Sequence, residues 1–227
     1  MKISGFQKVT LLDYPNKIAA IIFTQGCNFN CSYCQNSDLI PLKEGWFKEE
    51  EILEYLKKRR KVLDGLVISG GEPTIQKDLI PFIKKVKKLG LLVKLDTNGS
   101  NPKVLEELIN NNLVDYVAMD IKCTFLNYHE VIKGNANIEN IKKSIKLLKQ
   151  SSVSHEFRTT IIKSFHDMSK ILKICEYLGN KERIYLQNFE DSECVLDKSL
   201  ISFTREELMN IQKNISGKFS NVYVRGL

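Results

Sequence analysis

Long apolar runs are missing from this 227-residue chain. The longest, such as Ile18-Ala19-Ala20-Ile21-Ile22-Phe23, fall far short of the roughly 20 residues that a bilayer-spanning helix needs. The opening Met1-Lys2-Ile3-Ser4-Gly5-Phe6 leads straight into polar and charged positions, without the apolar core of a secretory leader. A cytoplasmic protein with no membrane attachment is therefore expected. Low-complexity segments, linkers and short repeats are also missing. At this length a single core can bury most of the apolar surface, so one domain over residues 1–227 is expected. Histidine is scarce. His129, His155 and His166 are the only three, and no His-x-x-His pair offers a nitrogen-rich metal site.

Charge is not one-sided either. Lys and Arg number 34 against 27 for Asp and Glu, a net of +7. The lysines are spread through helix-like stretches such as Lys57-Lys58-Arg59-Arg60-Lys61 and Lys84-Lys85-Val86-Lys87-Lys88, which read as solvated helix faces. This dispersal speaks against a nucleic-acid groove and leaves at most a weak attraction to an acidic partner.

What is present is a regular alternation. Short runs rich in Val, Ile and Leu occupy residues 18–24, 65–69, 91–96, 114–121, 155–162, 183–188 and 221–225. Their apolar residues are consecutive, as in strands buried on both faces. Helical patterns lie between them, near 48–60, 77–89, 102–111, 137–149, 167–178 and 204–214. Asn101-Pro102 places proline in a first helical turn, and Thr204 with Glu207 spells a capping box. Such alternation predicts an α/β fold of parallel strands joined by right-handed crossovers, either a complete or partial barrel or an open doubly wound sheet. Both architectures keep their chemistry at the carboxyl ends of strands. The unusual polar residues cluster there: Cys27 after the first run, Gly70-Gly71-Glu72 after the second, Asp96-Thr97-Asn98-Gly99 after the third, and Asp120 with Lys122 after the fourth.

Three of the six cysteines, Cys27, Cys31 and Cys34, fall within eight residues in a loop spanning residues 25–36. Without a leader, cysteines in such a pattern point to metal or redox chemistry over disulfides. Thiolates select zinc or iron–sulfur chemistry. Four protein ligands would close a structural zinc site, whereas three leave a position open. Cys123, Cys175 and Cys194 are each isolated in sequence, so they read as inert thiols and no auxiliary cluster is expected. An iron with an open position is the sharper reading, and a zinc knuckle is the alternative.

The loop Gly26-Cys27-Asn28-Phe29-Asn30-Cys31-Ser32-Tyr33-Cys34 resembles the motif of the radical S-adenosylmethionine (SAM) superfamily, including the aromatic Tyr33 before the last cysteine. That resemblance implies a partial (β/α)6 TIM-like barrel. It also implies a [4Fe–4S] cluster on Cys27, Cys31 and Cys34, whose open iron takes the methionine moiety of SAM. One electron then breaks the cofactor into methionine and a 5′-deoxyadenosyl radical. Ser69-Gly70-Gly71-Glu72-Pro73-Thr74 resembles the superfamily's Gly-Gly-Glu motif, implying that the glycine backbone and Glu72 hold the cofactor's amino group. Asp96-Thr97-Asn98-Gly99 and Met119-Asp120-Ile121-Lys122 resemble strand ends of glycyl-radical-enzyme activating enzymes. There the resemblance implies a monovalent cation on Asp96, Thr97 and Asp120, with Asn98 and Lys122 near the cofactor. Arg158 is a charge inside a strand-like run, costly unless paired; the family places an arginine there facing the cofactor. Gln187, at the end of the sixth run, is a candidate adenine contact.

The opening Gly5–Pro15 and the run into Gly26-Cys27 resemble the group that activates anaerobic ribonucleoside-triphosphate reductase. This implies a glycyl radical protein as partner and a flavodoxin- or ferredoxin-type electron donor. Relatives carry His-Asn after the last cysteine, where this chain has Gln35-Asn36, and Gln cannot carry a proton at neutral pH. Two alternatives belong to other classes: a radical enzyme acting on a small molecule or peptide, such as a deazapurine-type ring contraction, and a non-enzymatic metal-binding module.

Overall fold

The computed structural model describes residues 1–134 and 136–226. In chain order the elements are β1 (Ile3–Thr10), β2 (Ala19–Thr24), α1 (Glu49–Arg59), β3 (Gly65–Gly70), α2 (Leu79–Lys88), β4 (Leu92–Thr97), α3 (Pro102–Asn110), β5 (Tyr116–Asp120), α4 (Tyr128–Ile132), α5 (Ile138–Gln150), β6 (Ser154–Ile161), α6 (Met168–Leu178), β7 (Ile184–Asn188), α7 (Arg205–Ser216) and β8 (Val222–Arg225). The strand order is β1-β2-β3-β4-β5-β6-β7-β8, open, with β1 and β8 at its ends. The fold is α/β with parallel strands, as the alternation predicts, and from β2 onward it consists of strand–helix repeats. No helix among the described residues is long and apolar enough to cross a membrane.

The chain forms two compact units. The first comprises Met1–Asn28, Asp38–Ala118 and Glu139–Ser154; the second comprises Phe29–Ser37, Met119–Ile138 and His155–Leu227. In the first unit β2 runs parallel to β3, Ala19 opposite Gly65 through Thr24 opposite Gly70. β3 continues the pattern with β4, Gly65 opposite Leu92 and Val67 opposite Lys94. Ala19, Ala20, Ile21 and Ile22 are all buried, so both faces of β2 are covered and the consecutive apolar run has its physical reason. Tyr14, Ala19, Ile21, Val67 and Tyr116 form one core cluster, packed with Phe23 and Leu92.

One strand departs from the expectation of a purely parallel sheet. β1 pairs antiparallel to β2, from Ile3 opposite Thr24 to Thr10 opposite Ala19, with two irregularities in register. Its sequence, ISGFQKVT, mixes polar residues and glycine because this edge strand is only partly covered. Irregular register and a lysine are common ways of protecting an edge from further pairing.

In the second unit β6, β7 and β8 are parallel, Phe157 opposite Ile184 and Ile184 opposite Val222. Helix α7 opens with the capping box read from sequence. The Glu207 amide donates to Thr204 Oγ1 at 3.2 Å and the Thr204 amide donates to Glu207 Oε2 at 2.9 Å. Helix α3 begins at Pro102, as its Asn-Pro signal predicts. Replacing Thr204 with Ala should cost about 1 kcal/mol of unfolding free energy in urea titration. A change near zero would show that α7 is held by packing alone.

Candidate active site

In the first unit the site is built on a glycine pair. Gly70 has φ +110°, a conformation that L side chains rarely adopt, and a Cβ on it would lie 2.2 Å from the Thr24 amide nitrogen. A Cβ on Gly71 would lie 2.1 Å from the Gly26 carbonyl oxygen. The close approach allows the Gly71 amide to donate to Thr24 O and the Glu72 amide to Gly26 O, both at 2.9 Å. The end of β3 is thereby fixed to the start of the cysteine loop.

Glu72 is fully buried. Its Oε1 accepts from the Thr74 amide at 3.0 Å, Thr74 Oγ1 at 2.5 Å and Thr97 Oγ1 at 2.7 Å, while Oε2 accepts from the Asn98 amide at 2.7 Å. Burial pushes its carboxyl above the ordinary range, against these hydrogen bonds, which favour the anion. A carboxylate has about four acceptor positions; here three donors converge on Oε1 and one reaches Oε2. Glu72 therefore joins the turn after β3 to the turn after β4.

That second turn also holds the cysteine loop. Asn98 Nδ2 donates to Asn28 Oδ1 at 3.0 Å, Asn28 Nδ2 donates to Ser100 Oγ at 2.8 Å, and the Ser100 amide returns to Asn98 Oδ1 at 2.9 Å. Asn28 directly follows Cys27, so this ring of bonds fixes the loop at its first ligand candidate. Asn28 and Ser100 escape sequence reading, since nothing local marks two polar loop residues as partners. Asp96 is paired with the Lys94 ammonium through Oδ1 and accepts from Ser69 Oγ through Oδ2 at 3.2 Å.

In the second unit Cys31 and Tyr33 are buried and Cys34 is half-buried; none of the cysteines is in a disulfide. The Cys34 amide donates to Cys31 O at 3.1 Å, and the Asn30 amide donates to Ile132 O of α4 at 3.1 Å. Burial pushes the Cys31 thiol up to about 11, partly offset by the Lys122 ammonium, and burial raises Cys34 too. Lys122 Nζ donates to Asp120 Oδ2 at 3.0 Å and stands 5.7 Å from the centre of the Tyr33 ring. Arg158 Nε donates to Asp120 Oδ1 at 2.8 Å. This is the partner that a charge inside β6 requires. Burial opposes ionisation of Asp120, but Arg158 and Lys122 outweigh it and hold the carboxyl at about 2.

Gln35 Nε2 donates to Glu190 O at 3.0 Å, Ser37 Oγ donates to Cys194 O at 2.5 Å, and the Asp197 amide donates to Ser32 O at 3.1 Å. An amide side chain serves the Gln35 contact without any titratable proton. Gln187 sits partly buried on β7, opposite Thr160 of β6 and Arg225 of β8.

Residues 21–178 match the family model of the radical SAM superfamily. The chain belongs to this superfamily. It is 37% identical to a protein of Methanocaldococcus jannaschii named "Putative glycyl-radical enzyme activating enzyme", across 98% of this chain and 95% of that one. It is 29% identical to the pyruvate formate-lyase-activating enzyme of Clostridium pasteurianum, across 82% of this chain and 80% of that protein. Among solved structures, Streptococcus suis SuiB bound to S-adenosylmethionine shares the fold at a TM-score of 0.70 and 15% identity. That match covers 89% of this chain but only 48% of SuiB, so the chain spans about half of SuiB's length.

The residues present fit the radical SAM cofactors by donor chemistry. Soft thiols are spaced through one short loop, and the Ser32 and Tyr33 hydroxyls are buried without an internal partner, as groups that a bound polar ligand could satisfy. Among the described residues no three His, Cys, Asp or Glu side chains are grouped as a ready metal cage. The monovalent cation implied for Asp96, Thr97 and Asp120 fits poorly, because both carboxylates already carry internal cations.

A third residue, His166, carries no local sign of its structural role. His166 is buried, its Nδ1 accepting from the Ile162 amide at 3.1 Å and its Nε2 3.1 Å from Lys122 O, which a neutral ring satisfies by donating there. Burial holds it down at about 4. The unfolded chain takes up this proton first, near the ordinary value of about 6.5. Stability is therefore full above that value and falls by about 3 kcal/mol as pH drops towards 4. Urea unfolding of the wild type and His166→Gln across this range should show a shallower pH slope in the variant; equal slopes would contradict the assignment.

Proposed function

We propose that the chain is an activating enzyme that installs a glycyl radical on a partner protein, with an anaerobic ribonucleotide reductase as the favoured partner type. The observation that carries this is the 37% identity to the Methanocaldococcus jannaschii protein across nearly the whole of both chains. The match to the Clostridium pasteurianum activating enzyme supports the same class. When bound, the [4Fe–4S] cluster and SAM supply reductive cleavage to methionine and a 5′-deoxyadenosyl radical, which takes a hydrogen atom from the partner's glycine.

The chain's own residues divide the remaining work. Cys27, Cys31 and Cys34 hold three irons, because each contributes a soft thiolate from one short loop. Cys31 would hold the metal as a thiolate, and the nearby Lys122 ammonium lowers the cost of losing its proton. The backbone of Gly70 and Gly71 takes the cofactor's amino group, and Glu72 positions it by holding the two turns together. Thr97 and Asn98 line the cofactor site from β4. Lys122 and Arg158, both paired with Asp120, contribute positive groups beside the cofactor carboxylate. Tyr33 and Gln187 complete the cofactor contacts. The catalytic domain spans residues 1–227 and works in the cytoplasm with a flavodoxin- or ferredoxin-type electron donor.

The test is anaerobic. Protein with a reconstituted, reduced cluster is mixed with SAM and an anaerobic ribonucleotide reductase, and the electron paramagnetic resonance spectrum is read alongside 5′-deoxyadenosine. A glycyl doublet appearing with that product supports the proposal. Product without a doublet would move the assignment to a small-molecule or peptide substrate. Cys31→Ala should lose the cluster and both signals while keeping the circular dichroism of the wild type, and a variant that retains full iron would remove Cys31 from the ligand set.

A further inference from the structure

A lysine is an expensive residue inside a sheet, since a buried ammonium must be paired to be tolerated. Lys94 on β4 is only 2% exposed and lies between the buried Val93 and Leu95. An apolar residue would fill this position at no electrostatic cost. The Lys94 ammonium pairs with Asp96 two residues along, on the same face of the strand. Ser69 on β3 occupies the other oxygen of Asp96 at 3.2 Å, and the ammonium stands 6.0 Å from the centre of the Tyr116 ring. Asp96 is the residue for which the family resemblance implies a monovalent metal ion. Here a tethered cation already neutralises it, so a metal ion would meet little net negative charge at that carboxylate. Thr97, the next implied ligand, is committed as well, donating to Glu72 at 2.7 Å and accepting from the Gly99 amide at 3.1 Å.

We propose that Lys94 is the built-in cation of this site: its ammonium takes the electrostatic place of a monovalent metal ion at Asp96, so the protein binds SAM without one. The proposal rests on the radical SAM reading above and adds a positioning residue that none of the motifs contains. The effect of a built-in charge is a cofactor affinity indifferent to the salt's cation.

The experiment measures SAM binding to the reconstituted holoprotein by anaerobic calorimetry, with iron content as the loading control. One buffer contains only tetramethylammonium as cation, and the other replaces it with potassium at the same ionic strength of about 0.1 M, so that general screening is constant. Wild type should bind equally in both, within about twofold. Lys94→Met should bind at least about tenfold more weakly without potassium and recover much of the loss when potassium reaches the freed Asp96. Lys94→Arg, which keeps the charge, should stay indifferent to potassium and covers the case in which the methionine variant does not load iron. Wild-type affinity that rises about tenfold with potassium would overturn the proposal, as would a Lys94→Met protein that binds normally without it. Fully loaded wild type that binds no cofactor in either buffer would instead overturn the radical SAM reading, and this inference with it.

Discussion

The Glu72 carboxylate, closed off from solvent, accepts from two amides and two hydroxyls, and those four donors belong to the turn after β3, the last residue of β4 and the turn that follows it. An unpaired buried carboxylate costs several kcal/mol, so the donors and the acceptor must stay together. Their geometry in turn requires Gly70 and Gly71, because any side chain there would meet backbone atoms of residues 24 and 26. From the Asn98 turn the same order passes to Asn28 and so to the beginning of the cysteine loop. Glu72 is in this way the fastening between the turns after β3 and β4.

Charge in the second unit is arranged on similar terms. Asp120 stays ionised because Arg158 and Lys122 both reach it. Lys122 is further fixed through its backbone, its amide donating to the Tyr128 hydroxyl at 3.2 Å and its carbonyl oxygen lying 3.1 Å from His166 Nε2. That placement puts a positive group where it lowers the cost of a Cys31 thiolate and where an anionic ligand would be welcome.

Much of this was legible in the sequence. Consecutive apolar residues marked β2 to β5, which are buried on both faces. Strands β6 to β8 are buried only in part, against the expectation of strands covered on both faces, and carry polar residues at several of their partly exposed positions. Thr204 with Glu207 marked the start of α7. Cys27, Gly70-Gly71-Glu72 and Asp96-Thr97-Asn98 stood out because chemistry collects at the carboxyl ends of such strands. Strand β1 did not, since an edge strand needs no continuous apolar pattern and this one contains Gly5, Gln7 and Lys8. The short α4 was missed because five residues are too few for a periodic signal. Lys94 carries no signal of its own in the sequence; its burial depends on a pairing with Asp96 that only the folded strand reveals. Asn28, Ser100 and His166 were hidden for the same reason, each being defined by a partner distant in the chain.

The proposed function requires a cluster held by three thiolates, with one iron left for the cofactor. Mössbauer spectroscopy of protein reconstituted with iron-57 reads that iron directly. Adding S-adenosylmethionine should change the signal of about one iron in four and leave the others as they were. A fully loaded cluster whose irons all keep their signals when the cofactor is added would contradict the account.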